Sequence, residues 1–172
     1  GNLVRRPKVR AGKMTAGRLR KEQRSLLENP LPYIFVQCGT DVLAWNFLFE
    51  GPPDTPFAGG WYWGRIEVPG DYPMEPPLMM MKTPNGRFQV DNWLCRSASD
   101  YSMEGWQPAM TLGGLLMCLL ALMCADWHTS GAFRTSDDHK RLLAQESLAW
   151  NKSHADFMKA FPEIDEIVMR SK

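Results

Sequence analysis

Four cysteines, three histidines and nineteen carboxylates are the side chains through which this chain could do covalent, acid–base or metal chemistry. The histidines, His128, His139 and His154, are scattered. Cys124 and His128 stand four apart and would share a helix face, but two ligands do not make a zinc site, and no metal is expected. The patterns GxSxG, the P-loop, HExxH and GxGxxG are all missing. Asn151-Lys152-Ser153 fits the glycosylation pattern, yet it falls in an expected helix and is discounted. Cysteines are more often inert and buried than reactive. Cys118 and Cys124 fit that description on an apolar helix, and Cys38 fits it at a strand end. Cys95 does not, because it sits in DNWLCRSASD, within an irregular stretch and beside Arg96. A partly exposed thiol next to a cation is where thiolate becomes accessible, which makes Cys95 the candidate nucleophile.

The elements that must position it follow from pattern. Residues 1–14 lack hydrophobic periodicity and read as a disordered basic tail. Thr15 can cap a helix running to about Asn29, with Leu19, Leu26 and Leu27 on its inner side, stopped by Pro30 and Pro32. Tyr33 to Cys38 reads as a strand. Leu43, Trp45, Phe47 and Phe49 alternate along a second strand with one well-buried face. A turn-rich GPPDTPFAGG leads to a third strand at 61–68, and LMMMK (78–82) is a fourth, beyond a segment with too many prolines for a ladder. Residues 83–109 show no period, and an irregular stretch of that length is usually functional. Helices are expected at 110–125, at about 136–151 with Ser136 as cap, and at 153–170 with a break at Pro162. The sum is an α+β domain over residues 15–170, built on a four-stranded antiparallel meander.

At 172 residues the chain is long enough for a full core, and seven tryptophans and eight phenylalanines supply its anchors. The apolar run 110–125 is shorter than a membrane span needs and reads as a core helix. Nothing resembles a secretory signal peptide, so a reduced, cytosol-facing setting is expected. The chain ends at Lys172 without a hydrophobic tail, and its Gly-Asn start reads as trimmed. Residues 1–28 carry nine Lys or Arg against two Glu, a net of +7, which leaves −6 for the rest of a chain of formal charge +1. Such a basic segment could meet nucleic acid, anionic lipid or an acidic protein.

The order of motifs resembles the ubiquitin-conjugating enzymes. GPPDTPFAGG (51–60) looks like their GPxxTPYxGG turn, and YPMEPP (72–77) like their YPxxPP loop. TPN (83–85) stands where they carry His-Pro-Asn, LC (94–95) matches the active-site cysteine, and WQPA (106–109) matches WxPA. TPNGRF followed by LC, with QESLAWN (145–151) leading to FPE (161–163), is similar to the subgroup anchored in the endoplasmic reticulum by a C-terminal helix.

The resemblance implies the ubiquitin-conjugating fold, with an N-terminal helix, the meander and C-terminal helices. It implies that Cys95 takes ubiquitin from the activating enzyme as a thioester and passes it to lysine, or to hydroxyl, acceptors with a RING-type ligase in protein quality control. No cofactor is needed, since the activating enzyme uses the ATP. Asn85 corresponds to the family asparagine, an oxyanion donor or a loop support; a mere turn role would cost roughly 1 kcal/mol or less on Asn85→Ala. Asp126 and His128 are candidates for activating the acceptor. Met74, Pro108 and Ala109 correspond to the ligase-binding surface. Arg18, Arg20, Lys21 and Arg24 match the surface that meets the activating enzyme, which favours an acidic protein partner over nucleic acid. No direct membrane contact is expected of residues 1–172, and anchoring in the endoplasmic reticulum would need a segment after Lys172. A carrier for another ubiquitin-like modifier, or a non-catalytic ubiquitin-binding variant, stays open.

Overall fold

Helix α1, Lys13–Glu28, opens a chain whose residues 10–94, 105–125 and 132–172 are described in a computed structural model. The helix starts two residues before Thr15, at an N-cap Gly12 that makes no side-chain cap bond. Thr15 is therefore not the cap. Its hydroxyl turns inward, within donating distance of Tyr72 O at 2.7 Å and Gly70 O at 3.0 Å. Leu19 is buried and Leu26 packs against the core, but Leu27, expected on the inner side, is exposed.

Strands β1 (Ile34–Cys38), β2 (Ala44–Glu50), β3 (Trp61–Glu67), β4 (Leu78–Met81) and β5 (Trp93–Leu94) follow in that order across a single sheet, each antiparallel to the next. The meander is as expected, but among the described residues it has five strands rather than four. β5 is two residues long, too short for any period, and is held by the pairs Met79–Leu94 and Met80–Trp93. The turn GPPDTPFAGG is closed by Gly51 N donating to Gly60 O at 2.8 Å. A side chain at Gly51 would bring its Cβ to 1.6 Å from Phe57 O, so only glycine fits.

Trp45, Phe47 and Phe49 of β2 bury one face of the sheet with Tyr62 and Ile66, against α2 (Leu112–Cys124). The other face of β2 is not wholly polar: between Asn46 and Glu50, Leu48, paired with Trp63, is fully buried in a second cluster with Trp61, Phe157, Phe161 and Ile164. That cluster exists because α4 (Ala155–Ala160) and α5 (Ile164–Arg170), broken apart around Pro162 as its missing N–H requires, cover this face.

Thr111 caps α2 by accepting from Gly114 N at 3.0 Å, and α2 is a core helix on one side only. Leu112, Leu115, Leu116, Leu119 and Met123 are buried, whereas Met117, Cys118, Ala121 and Cys124 face outward. Among the described residues no helix is long and apolar enough to cross a membrane. Helix α3 (Asp137–Lys152) begins at Ser136, whose hydroxyl accepts from His139 N at 3.1 Å, with Asp137 and Asp138 in its first turn.

Candidate functional site

The turn from Thr83 to Phe88 is built around one buried amide. Asn85 is 1% exposed. Its Oδ1 accepts from Arg87 N at 2.8 Å and Phe88 N at 2.7 Å, while its Nδ2 donates to Thr83 O at 3.0 Å and Phe88 O at 3.3 Å. A side-chain amide has two N–H donors and two acceptor lone pairs, so all four positions are filled inside the turn. Gly86 follows at φ +78°, a conformation its missing Cβ makes easy. Outside the turn, Thr135 Oγ1 donates to Gly86 O at 2.6 Å, Phe133 N donates to Arg87 O at 2.9 Å, and Phe88 pairs with Ala132.

The segment leading to the cysteine is held just as closely. Val90 pairs with Met81, Asp91 N donates to Met81 O at 2.9 Å, and β5 runs along β4 to a buried Leu94. Cys95 comes next in the chain and lies outside the described residues, as do Asp126 and His128. Beside the turn is an open cleft of about 430 Å³ lined by Pro84, Asn85, Val90, Phe133 and His139 among others. His139, which no motif singles out, is exposed on the first turn of α3 and lines this cleft.

The remaining cysteines differ from expectation in exposure. Cys38 is half-buried, and Cys118 and Cys124 are exposed on α2 rather than packed inside it. Burial of the thiol, with the Asp41 carboxylate adding to it, pushes the Cys38 pKa up. Cys124 is exposed as a residue, yet its thiol at the end of α2 is shielded enough that burial pushes its pKa up too. Both shifts lower the thiolate fraction at neutral pH and so disfavour nucleophilic chemistry.

Two loops form the proposed ligase surface, and Glu22 with its partner Arg18 holds both. Met74 is 71% exposed, and Pro108 and Ala109 are exposed. Trp106 Nε1 donates to Pro73 O at 2.7 Å and its ring lies 5.9 Å from that of Tyr72, which ties the loops to each other. Buried Glu22 of α1 then takes three donors: Tyr72 Oη at 2.6 Å, Arg18 Nε at 2.7 Å and Leu112 N at 2.7 Å. The last places a carboxylate at the positive end of the α2 dipole. Burial first, and then the bond to Glu22, raise the Tyr72 pKa well above the ordinary tyrosine value. Arg18 continues the clamp by donating to Pro108 O at 2.9 Å and Met110 O at 2.7 Å. Of the four basic residues expected at the activating enzyme, Arg18 is thus committed inside the molecule, whereas Arg20, Lys21 and Arg24 are exposed. Sequence reasoning passed over Glu22; the only signal was its i, i+4 spacing from Arg18.

Comparison with known proteins gives the same reading. The family model for ubiquitin-conjugating enzymes matches residues 18–158. A ubiquitin-conjugating enzyme E2 6 of Candida glabrata is 40% identical over 158 residues, which cover 91% of this chain and 64% of that relative. The human ubiquitin-conjugating enzyme E2 J2 is 36% identical over 165 residues, covering 95% and 64%. Among solved structures, human ubiquitin-conjugating enzyme E2 G1 superposes with a TM-score of 0.54 at 27% identity, over 63% of this chain and 93% of that one. The chain spans about two thirds of the length of the curated relatives it matches. On the family model, the relatives and the fold together, the chain belongs to the ubiquitin-conjugating enzyme family.

Proposed function

We propose that Cys95 accepts ubiquitin from the ubiquitin-activating enzyme as a thioester and delivers it to a lysine, or a hydroxyl, presented with a RING-type ligase in protein quality control. What supports this is the family match over residues 18–158, which spans Cys95, together with a strand β5 that pairs with β4 up to Leu94, the residue before it. In the first step the Cys95 thiolate attacks the ubiquitin thioester on the activating enzyme, forms a new S–C bond and releases that enzyme's thiol. In the second an amine attacks the same carbonyl, loses its proton to a base or to solvent, and expels the Cys95 thiolate. Asp126 and His128 are the proposed bases.

For Asn85 the geometry favours loop support. Both of its amide hydrogens go to carbonyls, so donating to an oxyanion would require abandoning Thr83 O or Phe88 O. Met74, Pro108 and Ala109 are proposed to meet the ligase, and Arg20, Lys21 and Arg24 the activating enzyme. Anchoring at the endoplasmic reticulum, as in the resembling subgroup, would come from chain beyond Lys172. The test is a charging assay with a panel of ubiquitin-like modifiers, each with its own activating enzyme and ATP. Ubiquitin should give a reductant-sensitive adduct and the others none; an adduct with a different modifier alone would overturn the reading.

A further inference from the structure

The first residues of β3 have no strand beside them on the β4 side, because β4 pairs only with Gly64–Glu67. Trp63 O accepts from the backbone at Lys82 N and Thr83 N, and side chains satisfy the rest. Trp61 N donates to Ser147 Oγ at 2.8 Å, and Trp61 O accepts from Asn151 Nδ2 at 2.9 Å. Trp63 N donates to Thr83 Oγ1 at 2.7 Å. Ser147 and Asn151 stand four apart and share one face of α3, so a single helix supplies both a donor and an acceptor to the open sheet edge.

This arrangement continues into the Asn85 turn. Thr83 Oγ1 already accepts from Trp63 N, and its own proton goes to Asn151 Oδ1 at 2.6 Å. A carbonyl only accepts, so Trp61 O fixes which end of the Asn151 amide faces it. Thr83 O then accepts from Asn85 Nδ2, and Asn85 Oδ1 holds Arg87 N and Phe88 N. Thr83, Asn85 and Asn151 are all buried, so water cannot replace any link. At the other end of the same helix, Thr135, next to the cap Ser136, donates to Gly86 O. The turn is thus gripped from both ends of α3.

We infer that α3 is a splint for the transfer site: Thr83 and Asn151 are positioning residues that fix the Asn85 turn, and through it residues 88–94, which lead to Cys95. This role rests on the thioester reading of Cys95. It also gives the threonine of TPN and the asparagine of QESLAWN one shared physical task. Asn151, buried and engaged on both ends of its amide, is closed to glycosylation.

The test is single-turnover discharge of the ubiquitin-loaded chain to free lysine, with every variant assayed below its own melting midpoint. Thr83→Val keeps the shape and removes the hydroxyl; it should lower the maximal rate about tenfold with the half-saturating lysine concentration unchanged. Thr83→Ser should recover most of the rate. Asn151→Ala leaves the Trp63–Thr83 bond in place and should slow discharge in the same way, which keeps the test decisive if Thr83→Val does not fold. Thr83→Val combined with Asn85→Ala should be little slower than the slower single variant, since both act through one turn. Folded variants that discharge within about twofold of the unaltered chain, or rate losses that simply multiply in the double variant, would overturn the inference. An unaltered chain that never charges would overturn the thioester reading as well, whereas normal charging with unchanged discharge would overturn only the splint.

Discussion

An amide without access to water must find partners for two N–H groups and for its carbonyl oxygen among neighbours, and Asn85 finds all of them between Thr83 and Phe88. Removing it takes a partner from two backbone N–H groups and two carbonyls of a buried turn. A cost of about 1 kcal/mol, reasonable for an exposed turn residue, is then too small. Asn85→Ala should lose about 2–3 kcal/mol, read from denaturant midpoints, with discharge slowed in proportion to the loosened turn. A loss under about 0.5 kcal/mol would mean the bonds are dispensable. Thiol chemistry is the second residue-scale expectation. For Cys38 and Cys124 the folded state favours the neutral thiol, so their contribution to stability is present below the ordinary thiol pKa and is lost as pH rises through the raised folded value. Alkylation followed by mass spectrometry should reach its half-maximal rate at higher pH for these two than for a model thiol.

Helix α1 separates two jobs by face. Thr15, Arg18 and Glu22 point inward and hold the 70–73 and 106–112 segments, while Arg20, Lys21 and Arg24 point out. Reversing the outer three to Glu should slow charging by the activating enzyme, more at low salt than at high, and spare discharge of preloaded ubiquitin to free lysine. Arg18→Ala should behave differently. It removes donors to Pro108 O and Met110 O, so ligase-stimulated discharge should fall more than charging does. Equal loss in both assays for the outer triple would point to unfolding instead. Tyr72→Phe takes one donor from the buried Glu22 carboxylate and should lower stability by about 1–3 kcal/mol.

Across the whole molecule, sequence pattern reveals what is periodic or punctuated and hides what is paired at long range. The alternation from Trp45 to Phe49, the Ser136 cap and the break at Pro162 were all legible, because each acts on its own neighbours. Thr15 was misread because a threonine near a helix start looks like a cap, whereas its partners are Gly70 and Tyr72, more than fifty residues away. The bonds of Ser147 and Asn151 to β3 were invisible for the same reason: a polar residue inside a helix reads as surface until the strand 86 or 90 residues earlier is set beside it. β5 is too short to leave a signal. The second core was missed because Leu48 breaks the alternation of β2 by only one residue. At the site, motif order indicated Cys95 and Asn85, but not the helix that bonds to the turn around Asn85.

The account stands on Cys95 as the carrier, and charging of single-cysteine variants tests that most directly. Incubation with ubiquitin, the activating enzyme and ATP should yield one adduct that a reducing agent cleaves. Cys118→Ala and Cys124→Ala, which alter the two exposed cysteine residues of α2, should charge like the unaltered chain. Cys95→Ser should give only a reductant-resistant ester or nothing, and Cys95→Ala nothing. Normal charging of Cys95→Ala, or loss of the adduct in Cys118→Ala or Cys124→Ala, would contradict the account.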